Sequence, residues 1–307
     1  MPRRDWKLLA YLELLRLPNV FTAVADVLMG GWLAAAVAGT ALPQGVMALA
    51  VAASGCLYLA GMVWNDYFDR NHDLQLRPAR PIPSRRVPES AAQWLGSELI
   101  ILGVALAMVA TYFVGWRPAW ISLALAAAVL AYDGLLKSTW FGPVNMGLCR
   151  TLNVLLGMSV ITAPWQAVHY TVAGGIGLYI VGVTWFARTE ASTSNRALLL
   201  ASTLVMWAGM AMLAWFPNLL ADSAISQKFE IWYFFWLLLG AQIGWRCLRA
   251  VGNPQPAHVQ LAVKNALFSL IIFDAAVTMV VQGWQPAILI LLLLVPSVVL
   301  SRWMYVT

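Results

Sequence analysis

Ten apolar runs, each long enough to fill or nearly fill a window of about 19 residues, follow one another along this 307-residue chain. They lie near 18–38, 44–66, 93–114, 118–136, 142–161, 168–188, 197–216, 230–249, 262–282 and 285–303. Charged residues make up 10% of the chain, against roughly 25% in a soluble domain. A water-soluble globule is thereby excluded, and the length suits one bundle of nine or ten membrane helices over residues 1–307. The last run carries Pro286 and Pro296, which fit a re-entrant or interfacial segment as well as a crossing. Ahead of the first run, Trp6, Leu8, Leu9, Leu12 and Leu15 predict a short amphipathic helix on the membrane surface.

The loops alternate in charge. With the N-terminus inside, Arg3, Arg4, Lys7 and Arg16 share one side with Arg70, Arg77, Arg80, Arg85 and Arg86. Lys137, Arg150, Arg188, Arg196, Arg246, Arg249, Lys264 and Arg302 fall there too, making 17 of the 19 Lys and Arg residues. Only Arg117 and Lys228 fall opposite. The positive-inside rule then places both termini in the cytoplasm if all ten runs cross. This asymmetry accounts for the net charge of +6. Basic runs interleaved with aromatics, as nucleic-acid binding would need, are missing apart from one short stretch. Cys56, Cys149 and Cys247 are too scattered for a metal or disulfide framework.

Chemistry concentrates at the inner end of the second run, in Asn65-Asp66-Tyr67-Phe68-Asp69-Arg70-Asn71-His72-Asp73. On a helix, Asp69 and Asp73 lie about 60° and 20° from Asp66, so the three carboxylates share one face. Such acids repel one another unless a cation or basic groups neutralise them. Hard oxygens on one face suit Mg2+, which takes one or two carboxylates and fills its sphere with water and phosphate oxygens. His72 lies on another face and is read as solvent-facing. Arg77-Pro78-Ala79-Arg80-Pro81-Ile82-Pro83-Ser84-Arg85-Arg86 follows, with arginines suited to phosphate and prolines expected to hold the loop extended. Acids followed by arginines fit a diphosphate–Mg2+ site. An ordinary positive loop with balancing acids is the plainer reading, and the helical spacing of the acids argues against it.

N-D-x-x-D-x-x-x-D followed by R-P-x-R-P-I-P-S resembles the first signature of the UbiA superfamily of intramembrane prenyltransferases. Leu15-Arg16-Leu17-Pro18-Asn19 is similar to that family's approach to its first helix. Tyr132 to Lys137 resembles its Y-x-x-x-x-K turn, and Asn145 with Gly147-Leu148-Cys149-Arg150 resembles the start of its fifth helix. The likeness is strongest over residues 10–215. It implies nine transmembrane helices around a central cavity, and Mg2+ held by Asp66, Asp69 and Asp73. It also implies a prenyl diphosphate bound with help from Asn19, Asn65, Arg77, Arg80, Tyr132, Lys137, Asn145, Arg150 and Arg188. The implied reaction transfers the prenyl group to a small acceptor in a bacterial-type inner membrane, with Asp133 or Glu190 as base. The family's second acidic motif, D-x-x-x-D, is replaced here by Trp185-Phe186-Ala187-Arg188-Thr189-Glu190-Ala191-Ser192-Thr193-Ser194-Asn195-Arg196, which resembles a subgroup from bacterial secondary-metabolite clusters. Glu190 then either helps to hold a metal or balances Arg188 and Arg196.

Two other classes compete. A carrier or transporter of a prenyl lipid or amphiphilic metabolite could use the same fold without cleaving diphosphate, although inverted repeats are not evident. A CDP-alcohol phosphotransferase would need D-x-x-D-G-x-x-A-R, which the chain lacks. The acceptor is left open, with a neutral or polyol-like molecule favoured because no spare cation is evident outside the diphosphate loop. Asp26 and Asp274 lie mid-membrane, where an ionised group costs about 2.5–3.5 kcal/mol or more, so they need partners. Asn153 either contacts phosphate or bonds across helices. Glu190→Gln resolves the second motif: a large rise in the Mg2+ needed for turnover marks a ligand, and wild-type behaviour marks a counter-ion.

Overall fold

Helices account for all the regular structure in the described part of the computed structural model, which comprises residues 6–188, 194–220 and 229–301. α1 (Trp6–Leu15) leads through a 3-10 turn at Leu17–Asn19 into α2 (Val20–Ala38). α3 (Gln44–Leu76), α4 (Glu89–Val114), α5 (Arg117–Ala131) and α6 (Gly142–Met158) follow, then α7 (Ala167–Ala187) and α8 (Arg196–Trp215). α9 (Phe229–Gly252), α10 (Pro256–Gln282), α11 (Trp284–Leu292) and α12 (Leu294–Leu300) complete the order. Their ends follow local chemistry. Gly39, at φ 64°, takes the left-handed turn that closes α2 and donates its N–H to Ala35 and Ala36. The Asn195 side chain accepts from the N–H groups of Ala197 and Leu198 and so caps α8.

Seven described helical stretches are long and apolar enough to cross a bilayer: 7–38, 44–76, 89–114, 117–136, 167–187, 196–219 and 256–282. The protein is therefore an all-α integral membrane protein, with fewer unambiguous spans than the ten apolar runs imply. α6 has 17 residues and carries Asn145, Arg150 and Asn153. At the C-terminal end, Pro296 has no N–H to give the Leu292 carbonyl, and the helix breaks at Leu293 into two short pieces. Ser297 donates to the Pro18 carbonyl at 2.7 Å and ties the last piece to the turn ahead of α2.

Two expectations about the inner end change. α1 is amphipathic, with Leu8 and Leu9 exposed, but its other face packs on protein. Ala10 and Leu14 are buried with Val63, Ile82, Val87 and Ala92, and Glu13 pairs with Arg86 at 2.7 Å. The loop after α3 is compact where the prolines predict an extended path. Arg80 bonds back to Arg77, Ser84 to Arg80, Arg85 to Ile82 and Val87 to Pro81. Burial of Ile82 and Val87 under α1 rewards that folding, and the loop brings Arg80 back over the acids of α3.

Midway along α2, α2 and α6 meet backbone to backbone. A Cβ on Gly157 would stand 2.1 Å from the Val27 carbonyl oxygen, and one on Gly30 would stand 2.5 Å from that of Val154. Small residues allow such approach where no hydrophobic drive joins helices in lipid. Gly157→Ala is expected to lower stability by about 1–3 kcal/mol, read as the unfolding midpoint in detergent. Gly55→Ala, with nothing within 4 Å, is the control; equal behaviour of the two would refute the close contact.

Candidate active site

The acids at the C-terminal end of α3 are held by three different basic groups. Arg16 Nη2 donates to Asp66 Oδ1 at 2.6 Å, and Arg80 Nη1 bridges Asp66 Oδ1 at 3.3 Å and Asp73 Oδ2 at 2.6 Å. Lys137 pairs with Asp69. Asp66 and Asp73 are almost wholly buried, whereas Asp69 keeps over a quarter of its side chain exposed. Each pairing rests on a local device. Arg16 takes a left-handed conformation, φ 44° and ψ 49°, where the chain leaves α1 for Pro18. Lys137 follows a π-helical turn at Tyr132–Leu136, its N–H bonding to the Tyr132 carbonyl at 2.9 Å. That widened turn, a form frequent at functional sites, brings Tyr132, Asp133 and Lys137 to α3.

A cavity of about 600 Å³ opens over these pairs. Five bases line it (Arg16, Arg77, Arg80, Lys137 and Arg188), together with Asp69, Asp73, Asn65, His72, Tyr132 and Thr184. Arg188 donates to the Ser138 carbonyl at 2.8 Å and lies over the Trp140 ring. The cavity is net positive and suits a small polyanion. Among the described residues, no three His, Cys, Asp or Glu side chains converge into a ready cage for a metal. Mg2+ does not require one, since it binds through one or two carboxylates plus substrate phosphates. Asp69 and Asp73 offer such carboxylates at the cavity wall, so the donor set fits.

Beneath the cavity lies a narrow apolar chamber between α3, α5 and α6. Ser54, Leu57, Tyr58, Gly61, Met62 and Asn65 form its α3 wall, and Leu125, Val129, Tyr132 and Asp133 the wall opposite. Asn65 and Tyr132 line both spaces, so the charged cavity and the apolar chamber adjoin there. Asn65 Nδ2 donates to the buried Asp133 Oδ1 at 3.3 Å across their junction.

Some residues singled out in the sequence lie elsewhere. Arg150 sits at the far end of the chamber, buried, donating to Asp26 Oδ2 and Thr22 Oγ1 at 2.7 Å each. It therefore does not belong to the inner turn with Lys137, because α6 carries it two turns inward to a buried carboxylate. Asn153 bonds across helices, to the Ala23 carbonyl and to Asp26, and accepts from Ser54 at 2.6 Å. Asn145 donates to the Ala128 carbonyl and joins α6 to α5, while Asn19 is buried and lines neither space. His72 is exposed, as expected, at the cavity rim. Glu190 lies outside the described residues. Sequence reasoning gave Arg16 no role at the acids, although its place in Leu15-Arg16-Leu17-Pro18-Asn19 was the available signal.

A family model described as the UbiA prenyltransferase family matches residues 26–306. Among relatives, a digeranylgeranylglyceryl phosphate synthase of Ignicoccus hospitalis is 36% identical over 162 residues, 52% of this chain and 49% of its own. One of Methanopyrus kandleri is 41% identical over 101 residues, 33% of this chain and 35% of its own. The chain thus matches half or less of the length of these relatives. Solved structures share the fold over far more of it. A structure concerned with digeranylgeranylglyceryl phosphate synthase in membranes superposes with TM-score 0.65 at 19% identity, covering 90% of this chain and 98% of that one. A UbiA homologue from Archaeoglobus fulgidus bound to DMAPP and Mg2+ gives 0.60 at 14% identity, covering 85% and 99%.

The ion pairs differ in what breaking them should cost. Asp26→Asn leaves the Arg150 guanidinium uncompensated in the bundle core and is expected to cost about 3–5 kcal/mol. Asp69→Asn removes a partly solvated partner of Lys137 and is expected to cost under about 1 kcal/mol. Unfolding midpoints in detergent compare the two, and a costlier Asp69→Asn would invert the assignment.

Proposed function

This chain belongs to the UbiA prenyltransferase family, and from that premise we propose that it transfers a prenyl group from a prenyl diphosphate to a small acceptor, with Mg2+, releasing pyrophosphate. The observation that carries this reading is a five-base cavity lying directly against an apolar chamber, with Asn65 and Tyr132 in the wall of both. A space charged at one end and apolar at the other selects a molecule with an anionic head and a hydrocarbon tail. The A. fulgidus homologue bound to DMAPP and Mg2+ has a ligand of that chemistry.

In this reading Arg77, Arg80, Lys137 and Arg188 receive the diphosphate. Arginine forks suit phosphate oxygens, and fixed cations stabilise charge that develops on a leaving group. Bound Mg2+, held through Asp69 and Asp73 with Asp66 behind them, supplies further positive charge to the phosphates. The donor C–O bond breaks with its electron pair leaving on the diphosphate. The Tyr132 ring and the apolar walls shield the allylic carbon from water. A hydroxyl of the acceptor forms the new bond and gives its proton to Asp133, which Asn65 orients; Glu190 is the second candidate base. The acceptor is small and polyol-like; the glyceryl part of the relatives' name has that chemistry, while its phosphate carries a charge that the neutral acceptor favoured from the sequence lacks. The positive-inside asymmetry supports a cytoplasmic position for the charged cavity.

The test is pyrophosphate release by the purified protein from a panel of prenyl diphosphates, with cell extract as acceptor source. Release is expected to need Mg2+ and extract, and to fall at least 100-fold in Asp66→Asn, Asp69→Asn and Asp73→Asn while these variants still bind detergent and melt cooperatively. Release from the three variants at the wild-type rate would remove the acids from the site. Mg2+-dependent binding without release, in extract proven to contain the acceptor, would favour a carrier.

A further inference from the structure

Another cavity, of about 140 Å³, lies far from the acids. Five residues join α2 to α3, so the end of α2 sits beside the start of α3, 22 residues and about 33 Å before Asp66. Ala34 and Ala38 of α2, Ile161 and Trp165 of the connection after α6, and Gln166 and His169 at the head of α7 line this cavity. Local chemistry fixes what His169 offers there. Its Nδ1 accepts the Gln166 backbone N–H at 2.9 Å, closing a capping box in which the Gln166 side chain accepts the His169 N–H. A ring nitrogen that accepts carries no proton, so the proton sits on Nε2. His169 is only 2% exposed, and among the described residues its Nε2–H has no partner, so the cavity is what it faces. The Trp165 indole N–H, in the same wall, is enclosed and also unpartnered. Gln166, its oxygen engaged by the cap, has amide N–H groups to donate.

Charge around this cavity has one sign. Arg117, the first residue of α5, donates to the Ala163 carbonyl at 2.7 Å, and its guanidinium lies 5.2 Å from the centre of the Trp165 ring. Residues 27–65, 99–132 and 134–187, which supply the cavity walls and Arg117, contain no Asp or Glu. Donors, a cation and the positive end of α7 together suit an oxyanion. Tyr112, Trp116, Tyr170 and Trp284 are exposed at the same end of the bundle, and such aromatics mark the depth of lipid head groups. We propose that the cavity binds the phosphate of a phospholipid head group, at the end of the bundle opposite the α3 acids. A cavity of about 150 Å³ admits a molecule as large as benzene, so a phosphoryl group fits here. His169 Nε2–H donates to a phosphate oxygen, and Arg117 supplies the countercharge. The rest of the lipid leaves past the exposed rim residues Pro164 and Gln166. Bound in this way, the lipid joins the end of α2 to the head of α7, whatever the charged cavity takes.

The chain has three histidines, so NMR of the full chain with isotope-labelled histidine, in a phosphate-free maltoside detergent, reads the site directly. His72→Gln and His258→Gln, both at exposed positions, assign two sets of ring signals and leave the third to His169. Dihexanoyl phosphatidylglycerol is expected to shift the His169 Nε2 signal saturably. Dihexanoylglycerol, which lacks the phosphate, is expected to leave that signal in place, and inorganic phosphate to move it only at much higher concentration. His72, on the wall of the charged cavity, reports separately on binding there. Arg117→Gln removes the countercharge and is expected to weaken the lipid about tenfold or more, the loss of one charged contact. Ala38→Phe fills the cavity from α2 and is expected to abolish the shift. A His169 signal that ignores the phospholipid, or that moves equally with dihexanoylglycerol, would overturn the proposal. Equal shifts from inorganic phosphate and phospholipid at equal concentration would overturn the lipid as occupant.

Discussion

A carboxylate at the edge of a membrane bundle must be neutralised, and here that requirement organises the whole end of the protein at which α3 stops. Asp66, Asp69 and Asp73 share one face of α3, and each draws a base from a different part of the chain. Arg16 comes from the turn ahead of α2, Arg80 from the loop after α3, and Lys137 from the π-helical turn after α5. The pairs thus fasten three separate connections to one helix. They also leave the cavity with more bases than acids. A diphosphate arriving with a divalent cation adds phosphate oxygens for the arginines and a positive charge for the carboxylates. The resting ion pairs can therefore exchange partners without leaving a charge exposed to the bilayer.

The same rule acts a second time, deeper, where Arg150 and Asp26 meet inside the bundle. Asp26 is fully buried and Arg150 nearly so, so their attraction works in a medium that screens it little, and Thr22 and Asn153 satisfy further polar atoms. Between these two polar layers lies the apolar chamber. The charged cavity, the apolar chamber and the Arg150–Asp26 pair thus follow one another along α3 and α6.

The acids and their shared face were legible because helical spacing is a local property of Asp66, Asp69 and Asp73. The basic loop was legible as a set of arginines, but its path was not, since burial of Ile82 and Val87 under α1 decides that path. Arg150 illustrates the limit. Its place in the sequence beside the family-like Asn145 suggested substrate contact, and it does line the apolar chamber, but nothing local foretold its pairing with Asp26, 124 residues away. Long-range pairing of this kind has no periodic signature. The apolar runs exposed the membrane nature of the chain, and Pro296 already marked the last run as one that need not cross, but the sequence did not show that α6 is only 17 residues long.

The central claim is that one amphiphile occupies the cavity and the chamber together. The most direct measurement is an experimental structure in a lipid nanodisc with Mg2+ and a non-cleavable farnesyl thiolodiphosphate. The account expects the diphosphate among Arg77, Arg80 and Lys137, with the chain running between α3 and α6 towards Ser54. A tail lying outside the helices in lipid, or a head bound away from the α3 acids, would contradict it.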